Sequence, residues 1–334
     1  MRAYEINSDG GVDALTLVER RDPKPGPDEV LVRVRASSVN YRDLSTIEDP
    51  VSRNLPYPRV PNSDGAGEVV EIGNKVTRFK TGDRVAATFF QRWIDGRITE
   101  HAMASALGGA LDGMLAELVV LHQDGLVSVP EHLSDLEAAT LPCAALTAWN
   151  SLIEQGNVKA GDVVLLLGTG GVSIFALQFA CLLGARVIVT SSSDEKLAKA
   201  KSLGAWQTVN YREVPDWERA VLDLTDGRGA DHTVEVGGAG TLQKSVAATR
   251  VAGFIGLIGV LTQGELNPTL IMRKSIRLQG IYVGSRRMFE DMNRAIAQHR
   301  LKPIIHRSFA FGDAREAYRA MRAAKHFGKL VIDI

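Results

Sequence analysis

Apolar and polar positions alternate in the first part of the chain, up to about residue 125. In residues 30–35, apolar and charged side chains take turns, which is typical of a strand with one buried face. Short apolar stretches recur at 67–72 and 84–88, and turn residues separate them. The pattern predicts a β-rich first part. Residues 90–115 contain four glycines and no clear pattern, and we expect a mobile loop near a site there.

From about residue 126, short apolar runs alternate with longer helical stretches. Residues 163–167 are five apolar residues in succession, which is typical of a strand buried on both faces. An apolar helix is predicted at 172–183 and a second strand at 187–190. Further elements are predicted at 194–203 (helix), 208–210 (strand), 216–224 (helix), 231–236, 253–260 and 276–283 (strands), 313–324 (helix) and 330–334 (strand). This alternation predicts an α/β fold with a doubly wound parallel sheet.

A glycine-rich turn, Gly168-Thr169-Gly170-Gly171-Val172-Ser173, joins the first strand and helix of this second part. Gly168 permits a tight turn, and Gly170 lets the backbone come close to a diphosphate. The helix that opens at Gly171 directs unpaired N–H groups and the positive end of its dipole at that anion. Ser173 replaces the third glycine of the G-x-G-x-x-G pattern and is still small. The turn therefore predicts a dinucleotide site, and the alternative is an ordinary strand-to-helix turn.

The end of the second strand bears on the choice between NADPH and NADH. Folds that prefer NAD usually place a carboxylate there, about 20 residues past the glycines. Ser191 holds that position, and a serine can donate to a 2′-phosphate without repelling it. We therefore expect NADPH in preference to NADH, although Asp194 and Glu195 stand nearby. A local alternative, compatible with this one, is that Ser192 and Glu195 form a capping box and Lys196 is a solvated helix residue.

Composition indicates which binding partners and which cellular location to expect. A chain of 334 residues suits two domains. Lys plus Arg and Asp plus Glu both number 39, so charge favours neither nucleic acid nor an acidic membrane as a partner. No apolar run approaches the roughly 18 residues of a membrane span, and the N-terminus lacks a signal-peptide core. Cys143 and Cys181 form no C-x-x-C pair, which argues against a disulfide scaffold and a four-cysteine zinc lobe. We expect a cytoplasmic protein.

Four motifs resemble those of the medium-chain dehydrogenase/reductase superfamily. They are residues 61–73 (PNSDGAGEVVEIG), Gly82-Asp83-Arg84-Val85, Gly161-Asp162 and Gly328-Lys329-Leu330-Val331. The resemblance implies a β-rich, GroES-like catalytic domain at 1–125 and 285–334, and a Rossmann dinucleotide-binding domain at 126–284. It also implies a homodimer paired through the strand at 276–283, since a long apolar edge strand needs cover.

The zinc alcohol dehydrogenases of that superfamily carry a catalytic cysteine, a His-Glu pair and a second cysteine. The matching positions here are Asn40, Ser63, Asp64 and Cys143. Zinc needs about three protein ligands, and one thiol with one carboxylate is a poor set. We therefore expect no catalytic metal, and we interpret Cys143 as a small buried core residue.

Residues 38–43 and 205–213 resemble the zinc-free branch of quinone oxidoreductases and enoyl reductase modules. This resemblance implies an NADPH-dependent oxidoreductase that transfers hydride to a quinone, an enone or another activated alkene, a small-molecule substrate. Two alternatives stay open. One is a zinc-independent alcohol or carbonyl dehydrogenase, and the other is a non-catalytic NADPH-binding regulatory module.

Candidate catalytic residues follow from this chemistry. Asn40 and Tyr41 are candidate donors to the developing negative charge. Asp64 is a candidate to orient Tyr41 or Arg42. The alternatives are a packed aromatic for Tyr41 and a turn residue for Asp64.

Further cofactor contacts are implied by the resemblance. They are Thr147 and the backbone of Ile258 and Val260 beside the nicotinamide, Lys196 near the 2′-phosphate, Tyr211 by the adenine ribose, and Val283 after the last strand.

Overall fold

The computed structural model describes all 334 residues, and the chain divides into two compact units. The first unit comprises Met1–Leu146 and Gly284–Ile334, and the second comprises Thr147–Val283. None of the helices is both long enough and apolar enough to cross a bilayer.

The strands are β1 (Arg2–Glu5), β2 (Thr16–Glu19), β3 (Glu29–Val39), β4 (Asp64–Ile72), β5 (Arg84–Ala87), β6 (Leu118–His122), β7 (Leu126–Ser128), β8 (Val163–Leu167), β9 (Arg186–Ser191), β10 (Gln207–Asn210), β11 (Ala230–Glu235), β12 (Thr249–Leu257), β13 (Arg277–Gly280), β14 (Ile305–Ala310) and β15 (Lys329–Asp333). The α-helices are α1 (Tyr41–Glu48), α2 (Glu100–Met103), α3 (Asp135–Ala138), α4 (Leu146–Trp149), α5 (Gly171–Leu182), α6 (Asp194–Ser202), α7 (Trp217–Leu224), α8 (Ala239–Ala248), α9 (Thr269–Arg273), α10 (Arg286–His299) and α11 (Ala314–Ala323). Short 3₁₀ turns occupy Gly11–Ala14, Gln123–Gly125 and Phe311–Asp313, and π-helical turns occupy Leu141–Ala145 and Asn150–Gln155.

The first unit is built on a seven-stranded sheet in the order β14-β15-β3-β4-β5-β7, with β6 also paired to β3. Its core includes Val30, Val32 and Val34 from the alternating stretch, while the intervening Arg33 and Arg35 are exposed. Side chains of α11 close this core. Because β7 pairs with β5, the chain beyond residue 125 still contributes to the first unit, which extends to Leu146.

The second unit is built on a six-stranded sheet in the order β10-β9-β8-β11-β12-β13. Every neighbouring pair of these strands is parallel, and β8 is buried along its whole length. The chain runs outward from β8 to β10 and then returns to build β11 to β13 on the other side. This order confirms the predicted doubly wound parallel sheet, in which ligands bind at the carboxyl ends of the strands beside the switch point.

The last strand of this sheet differs from its prediction. The sequence pattern predicts a strand over 276–283, whereas β13 covers only Arg277–Gly280. Val283 adopts a φ of +57°, a left-handed conformation that cannot continue a strand. Ile276 and Ile281, which flank β13, are buried, so their apolar character reflects packing at the strand ends.

Candidate functional site

The glycine turn between β8 and α5 leaves room for a ligand. Gly168 has a φ of +70°, and its N–H donates to the carbonyl of Thr190 at 2.8 Å. A Cβ added at Gly168 or Gly170 would meet no atom within 4 Å, so the space beside both residues is open. Gly170 is the N-cap of α5, and the first-turn N–H groups of Gly171 and Val172 have no acceptor within the helix. The turn therefore fits an anionic diphosphate.

Ser173 ties the first turn of α5 to the strand before it. Its hydroxyl is buried and donates to the carbonyl of Leu167 at 2.7 Å. A small side chain at this position thus keeps the helix close to β8, the role given to the third glycine of the pattern.

Two sequence segments meet at the end of β9. Asn210 pairs with Ser191 in the β9–β10 register, and the Tyr211 N–H donates to the Ser191 carbonyl at 3.0 Å. The ring of Tyr211 is largely exposed beside the buried Ser191. The Asp194 carboxylate accepts a hydrogen bond from Asn210 Nδ2 at 2.8 Å. The structure therefore brings Ser191 and Tyr211 together, with the nearby carboxylate turned toward Asn210.

The cap of α6 differs from the predicted Ser192 capping box. Ser193 is the N-cap, and its Oγ accepts from the Lys196 N–H at 3.4 Å. Ser193 takes this role because its backbone is extended, with φ −136° and ψ 119°. Partial burial lowers the pKa of the Lys196 ammonium. Glu195 instead pairs with Lys199 at 2.7 Å.

Among the remaining cofactor candidates, Ile258, Val260 and Val283 follow the carboxyl ends of β12 and β13, and Thr147 lies on α4. Thr147, on α4, is 3% exposed, and its hydroxyl forms no hydrogen bond within the chain. The N–H of Ile258 donates to the Glu235 carbonyl at 2.9 Å, while Val260 is 75% exposed. The carbonyl of Val283 accepts from Asn150 Nδ2 at 2.7 Å.

Val283 is the β-branched residue among the nine non-glycine residues that have a positive φ. A β-branched residue at φ +57° is rare and costs about 1–3 kcal/mol. The hydrogen bond from the buried Asn150 helps to hold it there. Such strain commonly marks a ligand contact.

Glu235 is a buried residue whose carboxylate holds the loop after β11, and the sequence pattern did not single it out. Its carboxylate accepts from the N–H groups of Gly237 at 2.7 Å and Gly238 at 3.0 Å, and from Thr241 Oγ1 at 2.7 Å. It thereby fixes the loop that follows β11. In the sequence, the available signal for this role was a carboxylate within the strand predicted at 231–236.

The first unit holds a buried polar cluster made of Asn40, Ser63, Asp64 and Lys329. Asn40 is the N-cap of α1, Asp64 begins β4 and Lys329 begins β15. Leu330 pairs with Val39, so the sheet register brings Lys329 to Asn40.

Hydrogen bonds connect this polar cluster from end to end. Lys329 Nζ donates to Asn40 Oδ1 at 2.5 Å and to the Val39 carbonyl at 3.0 Å. Asn40 Nδ2 lies 3.5 Å from Ser63 Oγ, and Ser63 Oγ donates to Asp64 Oδ1 at 2.7 Å. In the sequence, Lys329 belongs to the family motif at 328–331, and no role in a site was predicted for it.

Burial dominates the electrostatics of the cluster. It raises the pKa of Asp64 from 3.8 to about 6, while the Lys329 charge opposes that rise. Burial, with the Asp64 charge, also raises the pKa of the Cys143 thiol well above its ordinary value. The Cys143 backbone N–H donates to Asp64 Oδ2 at 3.1 Å. Cys143 thus contributes a backbone hydrogen bond to Asp64 and a thiol whose deprotonation burial opposes.

Asp43 makes the contact with Arg42 that was expected of Asp64. Its carboxylate accepts from the N–H groups of Asn40 at 2.9 Å and Ser63 at 3.2 Å, and lies 3.2 Å from Arg42 Nη1. Arg42 also donates to the Leu107 carbonyl at 2.8 Å and forms no ion pair with Asp64.

Tyr41 stands outside the polar cluster. It is 43% exposed and its hydroxyl makes no hydrogen bond, to Asp64 or to any other residue. Residues 90–115 contain α2 and pack through buried aromatic side chains, including Phe90 and Trp93.

The residues at the positions that match zinc ligands of the zinc alcohol dehydrogenases are a poor set for zinc. Asn40, Ser63, Asp64 and Cys143 offer one thiol and one carboxylate, and both oxygens of that carboxylate already accept hydrogen bonds. No group of three or more His, Cys, Asp and Glu residues in the chain is placed to hold a metal ion.

Comparison with known proteins identifies both units. The model of the alcohol dehydrogenase GroES-like domain matches residues 26–131, and that of the zinc-binding dehydrogenase family matches residues 171–298. The chain is 44% identical to the zinc-type alcohol dehydrogenase-like protein C1773.06c of Schizosaccharomyces pombe, over 97% of this chain and 96% of the relative.

Two further relatives carry other names. A quinone oxidoreductase of Pseudomonas aeruginosa is 30% identical over 97% of this chain and 96% of its own length. A crystal structure of an NAD-dependent alcohol dehydrogenase superimposes with a TM-score of 0.92 and 34% identity, and the match covers 100% of both chains.

Proposed function

Since the chain belongs to the medium-chain dehydrogenase/reductase superfamily of oxidoreductases, we propose that it reduces a quinone, an enone or another activated alkene with NADPH and without zinc. The observation that carries this proposal is the polar cluster. Where the zinc enzymes place metal ligands, Asn40, Ser63 and Asp64 are hydrogen-bonded to one another and, through Asn40, to Lys329.

Hydrogen-bond donors are enough for this reaction. When hydride from NADPH adds to the β-carbon of an activated alkene, the electron pair of the C=C bond moves into the neighbouring carbonyl and forms an enolate. Hydrogen-bond donors stabilise that charge, and a proton from solvent completes the saturated product. In direct reduction of a carbonyl, the negative charge stays on one oxygen, which a Lewis acid or hydrogen-bond donors can stabilise. In the proposal, the amide of Asn40 supplies the donor, and its burial, at 7% exposure, excludes competing water.

The second unit supplies the cofactor site in this proposal. The bound nicotinamide contributes the hydride. The turn at Gly168 to Val172 would hold the diphosphate, and the hydroxyl of Thr147 is a donor without a partner in the chain. Ile258, Val260 and Val283 would line the nicotinamide.

NADPH is favoured by the residues at the end of β9. Ser191 brings no negative charge, and the carboxylate of Asp194 is engaged by Asn210. Lys196 and Tyr211 would contact the 2′-phosphate and its ribose. The ratio of kcat/KM with NADPH to kcat/KM with NADH tests this choice, and a clear NADH preference would overturn it.

The second candidate is a zinc-independent alcohol or carbonyl dehydrogenase. It is favoured by the names of two relatives, which are an alcohol dehydrogenase and an alcohol dehydrogenase-like protein. The two functions use the same scaffold, so substrate turnover separates them.

We further propose a homodimer in the cytoplasm. The outer edge of β13 has no partner strand within the chain, so a second copy can pair with it. Cys143 and Cys181 are both free, which suits a reducing compartment. A monomer in light scattering at micromolar concentration would contradict the dimer.

Consumption of NADPH tests the proposed reaction. The purified enzyme is assayed against quinones, enones, aldehydes and, in the oxidative direction with NADP⁺, secondary alcohols, each with and without chelator. We expect turnover of quinones or enones that the chelator leaves unchanged. Turnover confined to aldehydes and alcohols would favour the second candidate.

A further inference from the structure

Lys329 is buried and donates a hydrogen bond to the side chain of Asn40. We propose that Lys329 is a positioning residue that fixes the Asn40 side chain with its NH₂ end available to the substrate. The inference rests on the proposed role of Asn40 as the donor. It holds equally for an alkene and for a carbonyl substrate, because both place negative charge on an oxygen.

The chemistry of an ammonium group sets the orientation of the amide. An ammonium has three donors and no acceptor, whereas an Asn side chain has one accepting end and one donating end. Because Lys329 Nζ lies 2.5 Å from the Asn40 amide, the atom that faces it has to be the oxygen. The NH₂ group is then at the opposite end, toward Ser63.

That NH₂ group has only a long hydrogen bond to Ser63 and a contact with the Asp64 carboxylate. Its hydrogen bond to Ser63 Oγ is 3.5 Å long, at the upper limit for such a bond, and its interaction with Asp64 lowers the pKa of that carboxyl. Because the bond to Ser63 is so long, a closer and more negative acceptor can replace it. A substrate oxygen that accumulates negative charge is such an acceptor.

The other members of the cluster reinforce the same direction. Lys329 donates to Asn40, Asn40 to Ser63, and Ser63 to Asp64, so the hydrogen bonds run from the cation to the carboxylate. Aligned bonds in a buried site strengthen one another. Without Lys329, the amide can turn over and present its oxygen to the substrate, which repels the developing charge.

The cost of burying Lys329 is a second reason to assign it a function. It is 3% exposed at the head of β15, whose next three residues, Leu330 to Ile332, are fully buried. Removing an ammonium from water is unfavourable, and apolar replacements of buried ion pairs are often neutral or stabilising. Stability alone therefore gives little reason for a lysine here.

A double-mutant cycle tests the proposal on whichever substrate the wild-type enzyme reduces. Lys329→Met is expected to lower kcat about tenfold or more, with KM and the NADPH dissociation constant changed less than about threefold. In an Asn40→Ala background, the same change is expected to cost less than about twofold, because Lys329 acts through Asn40. Equal losses in both backgrounds, or an unchanged kcat in Lys329→Met, would overturn the proposal.

Two further variants separate orientation from folding. Lys329→Arg keeps a donor-only group and is expected to retain most of kcat, whereas Lys329→Gln can present either end of its amide and is expected to lose it. This contrast decides the case if Lys329→Met does not fold, and an active Gln variant with an inactive Arg variant would refute the idea.

Lys274→Met is the matched control, since Lys274 Nζ donates to the carbonyls of Val246 at 3.1 Å and Ala247 at 2.9 Å. If the wild type turns over no alkene but reduces a carbonyl, only the proposed substrate class fails.

Discussion

The backbone N–H of Cys143 donates to Oδ2 of Asp64 at 3.1 Å, so the chain itself joins two positions that match zinc ligands. The second oxygen of Asp64 accepts from Ser63. The carboxylate is therefore satisfied by the protein, and burial raises the pKa of the Cys143 thiol beside it. Asp64 is therefore held in a network of hydrogen bonds from the protein's own groups.

Cys143→Ala tests the proposal that the enzyme works without zinc. Cys143 is half-buried, less enclosed than the buried core residue expected from the sequence, and its thiol contributes packing. We therefore expect kcat/KM within about threefold of the wild type and a stability loss on the order of 1 kcal/mol. Metal analysis of the purified wild-type protein is expected to find no stoichiometric zinc. Cys181→Ala, which removes the other free thiol, is the control. One zinc per chain that is lost in Cys143→Ala would contradict this account.

Asn40→Ala tests the proposed donor. Loss of one donor to a developing oxyanion typically lowers kcat by about 10²–10³-fold, and we expect a fall of that size. The NADPH dissociation constant, measured by fluorescence titration, is expected to stay within about twofold. Asn293→Ala is the control, because Asn293 is also buried in the first unit and its Nδ2 donates to the Ser128 carbonyl at 2.9 Å. If both variants lose kcat equally, Asn40 has no special role.

The strands and helices around the glycine turn were predictable because their patterns of apolar residues depend only on neighbouring positions in the sequence. Five successive apolar residues at β8 and the glycines after it mark a buried strand and a turn without reference to distant residues. The end of β13 was not predictable, since Ile281 is apolar through packing and Val283 leaves the strand.

The polar cluster was only partly predictable. Asn40 and Asp64 were found because family motifs contain them, but their connection to Lys329 depends on the pairing of β15 with β3, nearly 300 residues apart. Lys329 stood in a quoted motif without a role. The expected contact of Asp64 with Arg42 was wrong, since the neighbouring Asp43 takes that guanidinium.

Ser191→Asp tests the cofactor choice. A carboxylate at the end of β9 would repel the 2′-phosphate and accept the ribose hydroxyls of NADH. Loss of a hydrogen bond to a charged group costs about 1.5–3 kcal/mol, so kcat/KM with NADPH is expected to fall roughly 10- to 100-fold. The value with NADH is expected to rise.

Ser202→Asp, at the far end of α6, makes the same change of charge in an exposed position and serves as the control. A wild-type enzyme that already prefers NADH, or a Ser191→Asp variant with an unchanged ratio, would contradict the assignment.

The pH dependence of stability tests the burial of Asp64. Its pKa is about 6 in the folded chain against an ordinary value of 3.8, so the folded state holds the proton more tightly. The stability from this proton is fully present below about pH 4 and is lost as the pH rises through 6. In urea denaturation, the unfolding free energy of the wild type minus that of Asp64→Asn is expected to decrease between pH 4 and pH 7. A difference that stays constant or increases would contradict the raised pKa.

The position of the transferred hydride tests the central proposal most directly. Chelator-treated enzyme is supplied with NADPH deuterated at the transferable C4 position and with an α,β-unsaturated ketone, and the product is examined by NMR. The account predicts a saturated ketone with deuterium on the carbon β to the carbonyl. Deuterium on a carbinol carbon, or turnover that the chelator abolishes, would contradict it.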